Sequence, residues 1–265
     1  MEGLPRHSPA PRGPLRSRRM TPDTLLLAAL FFVAALLYAS VGHAGASAYL
    51  AAMALVGVAA STMRPTALVL NLFVASIVVV RFTRAGHLPW RELVPLAAGS
   101  IPMAFVGGMV ELPGDVYRPL VAMALLAGAL RLATAATSSD DDDTPGVPVA
   151  AGVVAGAGIG LLAGLTGTGG GIFLTPLLVL AAWTGTRDAA GLSGAFILVN
   201  SVAGLAGLLT GGVTLPPAML LWVVSVVGGG FIGSWLGATR FSLLNLRRAL
   251  AFVLVLAAAK LMFLP

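Results

Sequence analysis

The chain has no cysteine, and charged residues make up only 10% of its 265 positions. The first absence excludes disulfides and thiolate metal sites. The second excludes an ordinary soluble domain, in which about a quarter of residues carry charge. Only three histidines occur, His7, His43 and His87, and they stand far apart, so no metal centre is expected. No Walker-type Gly-Lys-Ser/Thr is present, and the expectation is that no cofactor of any kind is bound. Asp and Glu are missing from the middle of every apolar segment, so the usual carboxylate relay of a proton-coupled carrier is missing too. The formal charge is +6, but the arginines lie singly or in twos and threes at the ends of apolar segments. That placement suits a membrane surface, and no nucleic-acid partner is expected.

What the chain holds instead is apolar: 58% of residues are hydrophobic and the mean hydropathy is +0.96. Apolar segments lie at about 25–41, 46–60, 65–80, 93–110 and 119–134, then at 147–165, 170–184, 189–209, 216–238 and 248–264. Lengths of roughly 15–20 residues suit helices that cross lipid. The sequence therefore predicts an all-α polytopic protein, multi-pass in the cell (plasma or inner) membrane, with the lipid bilayer as its partner. A homodimer is compatible with such a chain. Residues 1–20 are rich in Pro and Arg and read as a disordered basic tail, or as sequence ahead of a start at Met20. A cleaved twin-arginine leader fits less well, because the run Leu25–Val41 is long for one and more membrane segments follow.

The acidic loop 137–146, TSSDDDDTPG, divides two sets of five segments into membrane repeats at 21–136 and 147–265. A shift of 125 pairs Gly42 with Gly167, Gly45 with Gly170, Ser76 with Ser201 and Gly108 with Gly233, and the breaks and segment lengths coincide as well. Equivalent loops carry opposite charge. Arg81, Arg84, His87 and Arg91 fill a loop whose counterpart at 210–217 is uncharged, while Glu111, Asp115 and Arg118 correspond to Arg240, Arg247 and Arg248. Under the positive-inside rule the halves are then inverted repeats of five segments, ten crossings in all. The rival arrangement makes 46–60 and 170–184 re-entrant, with eight crossings and parallel repeats.

Leu161–Pro176, LLAGLTGTGGGIFLTP, sets four glycines among five residues inside a run uncharged from Thr144 to Thr186. Backbone without helical hydrogen bonds cannot face hydrocarbon, so such a break must line a protected cavity. Each segment after a break holds 15 residues, about 22 Å against roughly 30 Å of hydrocarbon. The breaks must therefore sink toward the midplane from opposite faces, presenting free amides and positive helix ends that suit an anion. The candidate substrate-binding residues are Thr166, Gly167, Thr168, Gly169, Gly170 and Gly171 in the second break, Gly42, His43 and Gly45 in the first, and Asn71, Ser193 and Asn200 in mid-segment. The amides of Thr168–Gly171 and the hydroxyls of Thr166 and Thr168 are the expected oxyanion contacts.

The run GLLAGLTGTGGGIFLTPLLVL resembles the signature of the TauE/SafE family of membrane permeases, described as exporters of sulfite and organosulfonates. Met63–Asn71 (MRPTALVLN), Arg84–His87 (RAGH), and Gly191-Leu192-Ser193 after Arg187-Asp188 are similar to that family too, over about 25–264. The resemblance implies a permease that exports a small anion, sulfite or an organosulfonate. The first break, Gly42–Ser47 (GHAGAS), lacks the triple glycine, which puts equal participation of the two halves in doubt.

Other readings stand beside these. His43 is the only titratable group at the depth of either break, and serves as a satisfied structural histidine, a substrate contact or a proton relay. Asn71 and Asn200 make either an interhelical hydrogen bond or a ligand contact. Gly152, Gly156, Gly160 and Gly164 form one packing ridge, and Gly229, Gly233 and Gly237 another. Arg64 and Arg187 read as interfacial anchors, with anion attraction as their other role. Gly191–Gly194 (GLSG) matches the GxSG pattern of rhomboid intramembrane proteases, but no His follows His87 to activate Ser193, so no catalytic residue is expected. The uncharged breaks would also admit a carrier or channel for another small organic acid or a neutral solute.

Overall fold

The computed structural model describes residues 22–134, 144–213, 215–238 and 244–263, which form ten α-helices and no strand. The first half holds α1 (Pro22–Ala39), α2 (Ala46–Val56), α3 (Ala60–Arg84), α4 (Trp90–Met109) and α5 (Gly114–Thr134). The second holds α6 (Val149–Thr166), α7 (Gly171–Leu180), α8 (Thr186–Leu209), α9 (Met219–Ala238) and α10 (Leu244–Phe263). The basic tail, residues 137–143 of the acidic linker and Arg240 lie outside the described residues.

Among the described residues, six helices are long and apolar enough to cross a membrane: α1, α3, α4, α6, α8 and α9. The short helices α2 and α7 hold 11 and 10 residues, about 16 and 15 Å of rise. They are shorter than the expected 15-residue segments because left-handed residues end them early, Gly57 at φ 85° after α2 and Ala182 at φ 51° after α7; the following helices also start early. A hydropathy window stops at Arg64 and Arg187, yet α3 begins at Ala60 and α8 at Thr186, with both arginines inside. The 125-residue interval survives in the helix bounds: Ala46 and Gly171 open the short helices, and Arg84 and Leu209 close the long ones after them.

Polarity runs opposite to that of a water-soluble protein. Thr66, Asn71, Ser100, Ser193, Asn200 and Ser201 are fully buried, while Val154, Leu180, Leu220 and Phe263 are each more than 70% exposed. An exterior of large apolar side chains on helices of this length faces lipid, and the chain is a multi-pass membrane protein.

Glycine decides which helices touch. A methyl group placed on Gly156, Gly160 or Gly164 of α6 would sit 2.1–2.4 Å from Leu96 O, Ser100 O or Ala104 O of α4. In the equivalent pair, one on Gly229 or Gly233 of α9 would sit 2.2 or 2.0 Å from Phe32 O or Leu36 O of α1. Both expected ridges are therefore packing faces, with the surroundings of Gly237 outside the described residues. Bare backbones close on one another where lipid supplies no hydrophobic drive between helices. The pairings also give direction. Residue numbers rise together along α4 and α6, and along α1 and α9, so each pair runs parallel. The pair α3 and α8 runs oppositely: Leu68 lies by Gly204, Asn71 by Ser201, Val78 by Gly194 and Phe82 by Gly191.

Candidate functional site

The two glycine breaks meet. Residues 40–45 lead from α1 to α2, with Gly42 and Gly45 at φ 81° and 100°. Residues 167–170 lead from α6 to α7, with Gly167, Gly169 and Gly170 at 82°, 75° and 85°. A Cβ disfavours this left-handed backbone, so these turns require glycine. Each break seats on the third helix of the other half: Gly42 against Ala190 of α8, and Gly167 against Arg64 of α3. His43 spans the gap. Its Nδ1 lies 3.0 Å from Val41 O, and its Nε2 lies 2.9 Å from Thr175 Oγ1 and 3.3 Å from Gly171 O, at the first residue of α7. Thr175 Oγ1 is hydrogen-bonded in turn to Ser193 Oγ on α8.

The starts of α2 and α7 thus lie at one level, and their ends diverge. The end of α2 reaches the end of α10, where Lys260 Nζ donates to Leu55 O at 2.8 Å. In α7, Leu178 shares a buried cluster with Leu88 and Leu93 near the start of α4 and Ala189 near the start of α8. There His87 Nδ1 and Asp188 Oδ1 are 3.1 Å apart. Two positive helix ends therefore converge inside the protein.

In the second break, Phe173 N and Leu174 N donate to Gly170 O, and Thr168 N donates to Thr166 Oγ1 at 3.3 Å. Among the described residues, no protein acceptor meets the amides of Gly169, Gly170, Gly171 and Ile172, all four buried. A methyl on Gly169 would sit 2.9 Å from Asn71 Nδ2 and 3.2 Å from Ser201 Oγ. Asn71 Nδ2 donates to that serine across a long 3.4 Å, and Asn71 Oδ1 has no partner among the described residues. Asn200 stands beside Ser201 and one turn beyond Ile197, which touches both Gly169 and Gly171. It too is fully buried, and neither atom of its amide has a partner among the described residues. An orphaned buried polar group costs about 1–3 kcal/mol. The Asn71 amide beside unpaired backbone amides, with Asn200 on the same lining helix as Ser201, marks a place built for something polar.

The other expected residues take different parts. Thr166 Oγ1 donates to Leu162 O at 2.7 Å, so the Thr168 hydroxyl, 2.9 Å away, gives its proton to Thr166 Oγ1. Short hydroxyl side chains at a helix end satisfy themselves on nearby backbone first. The Cβ direction of Gly170 points at Phe196, Ile159 and Ala163, 2.8–3.3 Å away, which leaves its amide as its available group. Gly45 is covered by the ring of Tyr49, whose hydroxyl donates to Ala44 O. Among the described residues, no protein acceptor meets the buried amides of Ala44, Gly45, Ala46 and Ser47 either, so the first break carries four free amides as the second does. Ser193 is bonded to Thr175 rather than to a histidine ring.

Arg64 is not an interfacial anchor. It is 5% exposed, and its guanidinium donates from Nη1 to Val110 O at 2.8 Å and from Nη2 to Gly107 O and Gly108 O. These are the last carbonyls of α4, which no helical amide can reach. Its backbone touches Gly167, so one residue ties the second break to the end of α4.

Thr175, Ser201 and the capping role of Arg64 escape the sequence reading. Thr175 lies four residues after Gly171 inside the signature, so helical spacing could have found it. Ser201 emerges from the repeat pairing with Ser76 but carries no signal of its own. The acceptors of Arg64 lie 43–46 residues away, and no local pattern reveals them.

Residues 27–261 match the family described as Sulfite exporter TauE/SafE. A curated protein of Sinorhizobium fredii (strain NBRC 101917 / NGR234), named Probable membrane transporter protein y4hK, is 37% identical over 249 residues, covering 92% of this chain and 100% of that one. No solved structure matches the chain. A match that runs nearly from end to end, through both glycine breaks, places the chain in the TauE/SafE family of membrane transporters.

Proposed function

We propose that the chain is a permease that exports a small oxyanion, sulfite or an organosulfonate, by alternating access around the second glycine break. The observation that carries this reading is a set of donors without acceptors: the amides of Gly169, Gly170, Gly171 and Ile172, at the start of α7. An oxyanion accepts several N–H bonds at once, and a positive helix end favours it by about 0.3–2 kcal/mol. Asn71 stands beside Gly169, and Asn200 lies next to Ser201 on the helix that lines the break, as further contacts. Gly42, His43 and Ser193 close the site from the side of the first break, and Thr166 and Thr168 brace its wall.

Inverted five-helix repeats fit the same reading, and two observations support them. Equivalent helices α3 and α8 run antiparallel, as a pseudo-two-fold axis in the membrane plane requires; an axis along the membrane normal would make them parallel. The His87–Asp188 pair puts the α3–α4 connection and the start of α8 on one face, which five segments per half produce and re-entrant short helices do not. The arginines of that connection make this face cytoplasmic.

A second reading rests on the orphaned Oδ1 atoms of Asn71 and Asn200, which are acceptors and favour a neutral solute or organic acid with a donor of its own. Flux into ATP-free proteoliposomes separates the two, with a panel of sulfite, methanesulfonate, small carboxylates and small amides. Sulfite and the sulfonate are expected to cross. Asn200→Leu removes two orphaned groups, so it should keep or raise the melting temperature while lowering anion flux by about tenfold, the loss of roughly 1.4 kcal/mol of contact. Wild-type sulfite flux in that variant would move the site elsewhere. Flux confined to uncharged solutes would establish the second reading.

A further inference from the structure

The ring of His43 is hydrogen-bonded on both nitrogens, and its partners restrict where protons can be. Val41 O only accepts, so at 3.0 Å it requires a proton on Nδ1. In the neutral ring Nε2 then carries a lone pair and receives the Thr175 hydroxyl at 2.9 Å. Thr175 has one proton, shared between Nε2 and Gly171 O, which is 3.2 Å from Oγ1, so Ser193 must donate to Thr175 Oγ1. Gly171 O, 3.3 Å from Nε2, faces the lone pair and gains nothing from the ring.

Adding a proton to Nε2 inverts every element of this chain. The ring now donates to Thr175 Oγ1 and Gly171 O. The Thr175 hydroxyl turns toward Ser193, and the Ser193 proton is released from Thr175. One proton arrives, two hydroxyls rotate, and Gly171 O exchanges the Thr175 hydroxyl for the ring Nε2–H as its donor.

We propose that His43 takes up a proton as the anion binds, and that this turns the His43–Thr175–Ser193 chain around so that Ser193 becomes a donor; the inference rests on the oxyanion reading and adds its coupling ion. Burying a lone anion is expensive, and a monoanion entering with a proton leaves the buried centre neutral overall. The surrounding elements offer little other charge. α7 has no charged residue, α8 has Arg187 and Asp188 at its start with Asp188 on His87, and α1 has Asp23 at its far end. The phenols near the first break are held by Ser47 (Tyr38) and Ala44 O (Tyr49).

The test uses the full-length protein, labelled with ¹⁵N-histidine, in proteoliposomes with methanesulfonate, which keeps one negative charge at every working pH. His43→Gln assigns the His43 resonances by difference. Saturating methanesulfonate should convert the ring from its neutral Nδ1–H form to imidazolium. A lumenal pH dye should register one proton per anion, and an imposed membrane potential should leave the rate unchanged. Thr175→Val keeps the ring but cuts the link to Ser193, and should weaken apparent affinity by about tenfold. Flux with the ring still neutral, flux without proton movement, or unchanged affinity in Thr175→Val would each overturn the proposal. If no anion crosses in the wild type, while the ring still titrates, the transport reading itself fails and this inference falls with it.

Discussion

Arg64→Met retains an unbranched side chain and removes the guanidinium that holds the end of α4. Three hydrogen bonds disappear, to Gly107 O, Gly108 O and Val110 O. Bonds from a charged donor contribute about 1.5–3 kcal/mol each, so the gross loss for three is about 4.5–9 kcal/mol. Part of this is recovered, because a guanidinium no longer has to be held away from water, an effect of several kcal/mol. The carbonyls of buried Gly107 and Gly108 stay where they are without donors, at about 1–3 kcal/mol each. The net destabilisation should be about 3–5 kcal/mol, the usual result of removing one partner from a buried charged pairing. At roughly 2 °C per kcal/mol for a chain of this length, the unfolding midpoint falls by about 6–10 °C. Arg64→Lys should lose about half as much, since an ammonium keeps the charge but cannot reach three carbonyls as a planar fork does. Tryptophan-fluorescence melting in nanodiscs reads all three proteins. An interfacial anchor would contribute under about 1 kcal/mol, so a shift within about 2 °C of wild type would refute the capping role.

Four further outcomes are expected. Gly156→Ala puts a methyl 2.1 Å from Leu96 O and should lower yield and melting temperature, by about 1–3 kcal/mol of overpacking, while Gly158→Ala, two residues away in open space, should be neutral or stabilising; equal melting of the two would deny the packing ridge. Cysteines introduced at Gly86 and Leu244 of this Cys-free chain should label from one face and at Leu215 from the other, and labelling of 86 and 244 from opposite faces would defeat the inverted arrangement. Tyr49→Phe should lose about 1 kcal/mol of stability with anion affinity unchanged, because the hydroxyl is committed to Ala44 O and the ring still covers Gly45; a fall in affinity would show that the hydroxyl contacts ligand. Purified protein should sustain flux without ATP, and a strict nucleotide requirement would contradict the absence of any phosphate-binding loop.

By itself the sequence determines the membrane class, the helical architecture and the two places where helices break. Charge scarcity and hydropathy are properties of composition, and lipid leaves the backbone of an apolar segment little choice but helix. Consecutive glycines interrupt a helix through local backbone energetics, so Gly167–Gly171 was visible without any knowledge of packing. The glycine ridges were legible for the same reason, as a four-residue spacing on one helix face. Tertiary structure alone decided which groups point into the site. In a membrane protein lipid-facing and buried positions are both apolar, so hydropathy cannot separate them: Val154 and Leu96 read alike, yet one is 74% exposed and the other fully buried. Nor can sequence show that Thr166 and Thr168 satisfy each other, that the Cβ side of Gly170 meets Phe196, or that Arg64 reaches carbonyls over 40 residues away. The meeting of the breaks is the clearest case. His43 and Gly171 are 128 residues apart, and only the packing of α1 and α6 against opposite halves brings them within hydrogen-bond distance.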